Sequence, residues 1–423
     1  MSRSPAIALL LAVACNASHP RAPEGKLLYP TGLATEPGGQ TLLVVSSDFD
    51  RSYEAAEVLR VPLAAFDSGD DTFPAVPPAM RVSIGTFAGS IALSLDGKQA
   101  FVPSRADGTL AGLSLSDPST LTCLDHSSDC RTSAVPLGLA DPAGVAVGTA
   151  QLPGAAAAEI VLVTETSPQI VSVGTGTFNT VAHAVGVAVP TAGTLGAPLF
   201  TAPIGDTGAT TPIFDTARGL FYLPGCFVRT TTSLVQRCNP TNHGGFNPLR
   251  LFDPSAGSEG LVGTIDLYPA LHGTEVTTGA LSSDGATLFA VTRVPDALVE
   301  LALPLLPSGV VTVRHSIALP AAPLALLPIR RSTGRDLLAI ASVGNASVTI
   351  YDAESGLIAA TIEGVGQQPS ALALAPAADG HVRVVVSTFA DCVLSAIDVP
   401  LETPWQSRRT ARLVSGRAGT CPF

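Results

Sequence analysis

The chain has 423 residues, of which 13% are charged, and a net charge of −11. Its mean hydropathy of +0.39 excludes a disordered chain, which needs low hydrophobicity and high charge. The acidity argues against a nucleic-acid binder, which would carry a basic stripe; Arg330-Arg331 and Arg408-Arg409 are isolated pairs.

The N-terminus opens Met1-Ser2-Arg3-Ser4-Pro5, runs apolar from Ala6 to Ala14 and reaches Cys15. A charged start, a short apolar run and small residues before a break describe a secretory signal peptide over residues 1–14. The run is about half the length a helix needs to cross a bilayer, and no later segment offers an uninterrupted span. Ala12-Val13-Ala14 suits an ordinary signal peptidase. Followed by Cys15, the same residues resemble a bacterial lipobox, with Ala12 where Leu is usual. That resemblance implies acylation of Cys15 and, with Asn16 next rather than Asp, an outer-membrane address. Residues 15–25 then read as a flexible tether and 26–423 as the folded domain. The alternative is a soluble periplasmic or secreted protein.

Setting Cys15 aside leaves six cysteines in local pairs: Cys123 with Cys130, Cys226 with Cys238, and Cys392 with Cys421. An exported chain reaches an oxidising compartment where such pairs close. Other connectivities are open to six cysteines, so this pairing rests on proximity. No pair has the short spacing of a zinc site.

Gly and Pro, 40 and 35 in number, punctuate the apolar runs throughout, which produces many short elements. One unit recurs: a small or Pro residue, a short strand, a polar Gly turn, a Val-rich strand, a variable loop and a third strand. The clearest copies are Gly89 to Val102 and Gly279 to Val291, each with an Asp-Gly turn that suits a tight hairpin. Looser copies begin at Thr31, Ala143, Pro212, Pro323 and Pro369. Their second strands are Leu42 to Val45, Ile160 to Val163, Leu220 to Leu223, Leu337 to Ile340 and Val382 to Val386. Apolar on successive residues, these strands are expected to be buried on both faces. Third strands are expected at Val58 to Val61, Leu110 to Leu115, Ile170 to Val173, Leu298 to Leu301, Val348 to Asp352 and Val393 to Asp398. Lys26 to Tyr29 is expected as a first strand that closes the ring against the last blade or Ala411 to Val414.

The small or Pro residue heading each first strand, the Ser-x-Asp-Gly turn, the Phe101-Val102 pair and Val348-x-Ile350-x-Asp352 before Gly356 are the features of a known repeat. In them the chain resembles the YVTN-type β-propeller repeat family, although the Tyr-Val-Thr-Asn string itself is absent. The resemblance spans nearly all of the mature chain. It implies an all-β fold: a single β-propeller of about seven four-stranded blades. It also implies that ligands meet the face built from second-to-third-strand loops and blade-to-blade connections.

On that face fall Asp48, Asp50, Arg51, Arg105, Asp107, Glu165, Arg229, His243, Arg293, Asp296, Asn345 and Asp391. The longest insertion, Gly225 to Pro248 in blade four, is the first choice for an interaction site, since long loops are often functional. Asp48, Asp50, Glu165 and Asp391 could hold an axial metal through oxygen. Asp in a loop is more commonly a turn former, so no metal and no cofactor are expected. The seven histidines show no metal-binding spacing, and no nucleophile elbow or phosphate loop appears, so no catalytic residue is expected. The function expected is a membrane-anchored, non-catalytic binding or protein-interaction scaffold in the cell envelope. Its partner would be an envelope protein or a surface glycan, with the membrane touched only through the lipid. The alternatives are a propeller-type hydrolase or lactonase with an axial metal site, and a surface adhesion protein.

Overall fold

The strand Leu42-Leu43-Val44-Val45 shows how such a sequence becomes architecture. All four side chains are fully buried. Leu42 and Val44 join a core shared with the C-terminal strands, while Leu43 and Val45 join one shared with residues 82–123. Successive side chains of a strand point to opposite faces, so one strand feeds two cores. The other second strands split the same way. Phe101 faces onward and Ala100 and Val102 face back; Tyr222 faces onward and Phe221 and Leu223 back; Val385 faces onward and Val384 and Val386 back.

A computed structural model describes residues 25–415 and Cys421, except 153, 167–168, 173–177, 206, 226, 230–234, 238–247, 268–274, 294, 306–310 and 378–379. In it the chain is a seven-bladed β-propeller of antiparallel four-stranded blades. Blade one is Pro30–Thr35, Thr41–Ser46, Ala56–Pro62 and Arg81–Ile84. Blade two is Ala92–Leu93, Gln99–Ser104, Thr109–Ser114 and Thr122–Cys123. Blade three is Pro142–Ala150, Ala158–Glu165, Phe178–Ala188 and Phe200–Gly205. Blade four is Ile213–Asp215, Leu220–Leu223, Pro248–Phe252 and Leu261–Asp266. Blade five is Glu275–Leu281, Thr287–Arg293, Ala297–Ala302 and Val313–Ala318. Blade six is Pro323–Ile329, Leu337–Ser342, Ser347–Asp352 and Leu357–Glu363, and blade seven Pro369–Pro376, His381–Thr388, Val393–Pro400 and Arg408–Val414. Seven apolar clusters hold the ring, one at each junction between neighbouring blades.

Three expectations are corrected. Gln169–Ser172 is not the third strand of blade three; it folds back along Phe178–Ala188, which is. That strand overruns its neighbour, and the overhanging half needs a partner of its own. The Asp-Gly turns are longer than two-residue hairpins. Only the glycines, Gly97 and Gly285, take positive φ there, and Ser94 and Ser282 hydroxyls accept from Gln99 N and Thr287 N at 2.9 Å. Side chains thus supply the bonds that a tighter turn would make through backbone alone. Lys26 to Tyr29 is not a strand: the Leu27, Leu28 and Tyr29 N–H groups donate to Ser415 Oγ, Ser46 Oγ and Cys392 Sγ.

Among the described residues no strand of blade seven comes from the N-terminal segment, so the ring closes by side-to-side contact. Phe73 N donates to Val414 O at 2.9 Å and Val414 N to Asp71 O at 2.7 Å. Ser370 Oγ, in blade seven, donates to Pro30 O at 2.7 Å. The Cys392–Cys421 disulfide pins the tail beside this seam, and Cys123–Cys130 staples the edge of blade two. Both bonds belong to an oxidising, exported compartment. Cys226 and Cys238 lie outside the described residues, as do Cys15 and the expected signal peptide. Among the described residues no helix is long and apolar enough to cross a membrane. Cys421→Ser is expected to lower the unfolding free energy by about 3 kcal/mol through loop-closure entropy, read by denaturant titration under non-reducing conditions. Unchanged stability would assign the seam to its backbone bonds instead.

Candidate functional site

The first strand of each blade lines the axis, and neighbouring first strands crowd there. A Cβ on Gly89 would stand 2.5 Å from Ala143 O, and one on Gly144 would stand 2.3 Å from Thr210 O. This crowding is the physical reason for the small residue heading each repeat. In five blades the strand bulges at the same place, at Thr31, Ala143, Thr277, Leu324 and Ser370. Where a hydroxyl is present it donates across the junction. Thr31 reaches Gly89 O (2.9 Å), Ser90 reaches Ala143 O (3.0 Å), Thr210 reaches Thr277 O (2.9 Å) and Thr277 reaches Pro323 O (3.2 Å). Thr164 bridges blades three and four through Thr210 O at 2.7 Å. With Ser370, six of the seven junctions carry such a bond.

Inside this ring lies an axial cavity of about 850 Å³, within the size range of small-molecule sites. Its wall is apolar, with Leu33, Ile91, Ile213, Leu281, Leu326 and Leu372 among its residues. Its mouth carries Phe49, Phe87 and Phe389 together with Arg105, Arg293 and Gln368. Phe49 stands edge-to-face with Phe87 at 4.5 Å and with Phe389 at 4.8 Å, and Tyr29 backs Phe389 at 5.2 Å. Phe49 nevertheless remains 41% exposed. Of the large aromatics exposed among the described residues, Phe49 and Trp405, Phe49 borders this cavity and Trp405 does not.

The acidic residues expected to face a ligand are mostly tied to the scaffold. In four blades the second-to-third-strand loop accepts a backbone N–H from the connection leading into that blade. Asp107 accepts from Thr86 (3.1 Å), Glu165 from Ala140 (2.8 Å), Asn345 from Ala321 (2.9 Å) and Asp391 from Gln367 (3.0 Å). Glu165 also accepts His183 N at 2.8 Å, and Asp391 also takes Thr388 Oγ1 and Arg412. Asp296 meets Leu319 N through its backbone carbonyl at 3.0 Å. Asp50 is exposed and caps Ser52 N at 3.2 Å. Among the described residues no three His, Cys, Asp or Glu side chains are placed to hold a metal ion.

The basic candidates divide. Arg105 grips Asp141 with two bonds, 2.6 and 2.8 Å, and its guanidinium lies 4.1 Å over the Phe87 ring. Arg51 points away from the axis, into a polar groove with Tyr53, Asp107 and Arg131. Arg293 lines the axial mouth, its Nε buried without a partner among the described residues. The side chain of Arg229, and all of His243, lie outside the described residues. The sequence pointed to this loop set but missed the aromatic lip. Its signal was there: phenylalanine at 49, 87 and 389 stands in loops, where burial alone gives no reason for it.

Asp48 differs from its counterparts. Its side chain is buried at 1% exposure; Oδ1 accepts Tyr53 N at 3.3 Å, and Oδ2 has no partner. Burial first, and then the charge of Asp50, push its pKa up to about 7. Its φ of 47° is the left-handed region that Asp and Asn tolerate best.

No protein-family model and no curated protein matches the chain. Solved structures do. The Pseudomonas aeruginosa periplasmic gluconolactonase PpgL superposes with a TM-score of 0.54 at 13% identity, covering 92% of this chain and 96% of that one. Kuenenia stuttgartiensis hydrazine synthase gives 0.54 at 12% identity over 91% and 99%. A putative 6-phosphogluconolactonase from Bacteroides uniformis gives 0.51 at 15% identity over 78% and 84%. At such identities the likeness is one of fold.

The Asp48 geometry yields a pH prediction. The folded state holds this proton up to about pH 7, whereas an unfolded aspartate releases it near its ordinary value of 3.8. The folded chain therefore binds more protons across that window, and stability falls as pH rises through it. Asp48→Asn keeps the bond to Tyr53 N and removes the charge. The variant is expected to melt higher than the parent at pH 8 and to lose that advantage at pH 4, as read by thermal unfolding across the range. A constant difference between the two proteins would show that Asp48 does not titrate there.

Proposed function

We propose that the protein is an exported binding propeller of the cell envelope, held by a lipid on Cys15, that takes its ligand in the axial mouth without making or breaking bonds. The observation that carries this reading is the aromatic lip. Phe49 is left 41% exposed at the rim of an apolar cavity, although neighbouring rings could have covered it. The commitment of Asp107, Glu165 and Asp391 to backbone N–H groups supports it, because a hydrolytic centre needs acids free to move protons or hold a metal. The YVTN-type repeat pattern, the Cys392–Cys421 bond and the leader fit such a protein. The lactonase alternative takes its support from the lactonase names of two fold neighbours. It would require those acids to leave their present partners, or the buried Asp48 to serve as the acid without them.

Two measurements test the proposal. Cys15→Ala should abolish incorporation of labelled fatty acid and release the chain from membranes; a variant that still partitions with detergent removes the anchor. The released chain should bind a neutral apolar fluorophore, N-phenyl-1-naphthylamine, saturably. Phe49→Ala should weaken that binding by about three- to tenfold, the worth of an aromatic contact. Dye binding indifferent to Phe49 would place the ligand site elsewhere.

A further inference from the structure

We infer that the axial mouth selects an organic anion with a ring-bearing apolar body, its negative group on Arg293 and its rings against Phe49. This rests on the binding reading above and adds the chemical class of the ligand.

The argument begins with charge. A chain of net −11 repels anions unless positive charge is placed locally. Two guanidinium groups line the cavity, those of Arg105 and Arg293. The first is neutralised by Asp141 and stacked on Phe87. The second meets no carboxylate among the described residues, and its Nε is buried with no acceptor. Arginine stays charged at any ordinary pH, so this group cannot escape the cost by losing a proton. A buried donor without a partner is expensive, and an incoming carboxylate or sulfonate would satisfy it in the fork geometry that guanidinium favours.

Position fixes the shape of the ligand. Phe49, Phe87 and Phe389 come from the loops of blades one, two and seven, whereas Arg293 ends the second strand of blade five. In a ring of seven, blade five stands across the axis from blades one and two. The ligand must therefore span the mouth, with the charged end on one side and the ring on the other. The wall between them offers little to a polyol. The hydroxyls of Thr31, Ser90, Thr210, Thr277 and Ser370 already donate across blade junctions, which leaves Thr211, Thr278 and Gln368 as the other uncharged polar side chains in a lining otherwise mostly apolar or glycine. Most hydroxyls of a sugar buried there would go unpaired, which counts against the glycan partner expected from sequence. A single anionic group on an apolar body leaves nothing unpaired.

The test uses the Cys15→Ala chain and two fluorophores of one shape: 8-anilinonaphthalene-1-sulfonate, which carries the anion, and N-phenyl-1-naphthylamine, which does not. The sulfonate is expected to bind more tightly. Arg293→Leu should weaken it by about tenfold while leaving the neutral dye within about twofold, as loss of one charge-assisted bond predicts. Arg293→Lys should retain part of the preference and also serves if the leucine variant folds poorly. Arg408→Leu, on the outermost strand of blade seven, should change neither dye. Should Arg293→Leu leave the sulfonate unchanged while Phe49→Ala still weakens the neutral dye, the anion assignment falls and the binding reading stands. Should neither dye respond to Phe49→Ala, both fall.

Discussion

Everything in this molecule follows from the need of each second strand to hide both of its faces. A strand such as Leu337–Ser342, with every residue buried, cannot be satisfied by one partner sheet. Its odd and even side chains must enter separate cores, and Leu337, Ala339 and Ala341 do pack toward blade seven while Leu338 and Ile340 pack toward blade five. A sheet buried on both sides needs a neighbour on both sides. Repeated seven times without a free end, that requirement closes a ring. Apolar burial on this scale dominates the favourable terms in folding, so the seam between blades seven and one can rest on packing plus a few bonds.

The same constraint creates the space at the centre. Blades twist and widen outward, so their first strands meet most closely near the axis. Gly89 and Gly144 mark points where one first strand nearly touches the next, and the hydroxyl bonds from Thr31, Ser90, Thr210, Thr277 and Ser370 keep that approach polar and specific. What remains inside is a shaft whose wall is set by the apolar residues of seven strands. At the mouth loops replace strands, and there the charged and aromatic side chains of the lining gather.

The fold was legible because its two strongest signals are local. All seven first strands and all seven second strands fall where the repeat placed them, since small residues and consecutive apolar residues report crowding and two-sided burial directly. Third strands were legible in blades one, two, five, six and seven, and none was placed in blade four. The reading slipped at Ile170 because Phe178–Ala188 runs on past its neighbour, a length mismatch that no residue announces. The site was less legible. Its loops were identified, but an aspartate in a loop looks the same whether it awaits a ligand or holds a backbone N–H. Asp107 and Asp391 turned out to hold one, and only spatial proximity between separate loops could reveal that. Arg105 and Arg293 posed the same ambiguity, resolved by the presence of Asp141 beside one and not the other.

The lopsided mouth follows from the seam between blades seven and one. Blades two, three, six and seven are each entered by a connection whose N–H is captured by Asp107, Glu165, Asn345 or Asp391. Blade one lacks such a connection to Asp48 among the described residues. Its place is taken by residues 25–29, which bond instead through Leu28 O to Ser47 N and through Gly25 N to Glu57 Oε2. Asp48 is left with an empty oxygen and a raised pKa, and the loop beyond it turns through positive φ at Asp48 and again at Arg51. Phe49, between those two turns, is carried over the axis, where Tyr29 from the incoming segment and Phe389 from the last blade meet it. A ring of equivalent blades has no reason to favour one side of its mouth. The seam between blades seven and one supplies that reason, and the aromatic lip sits on it.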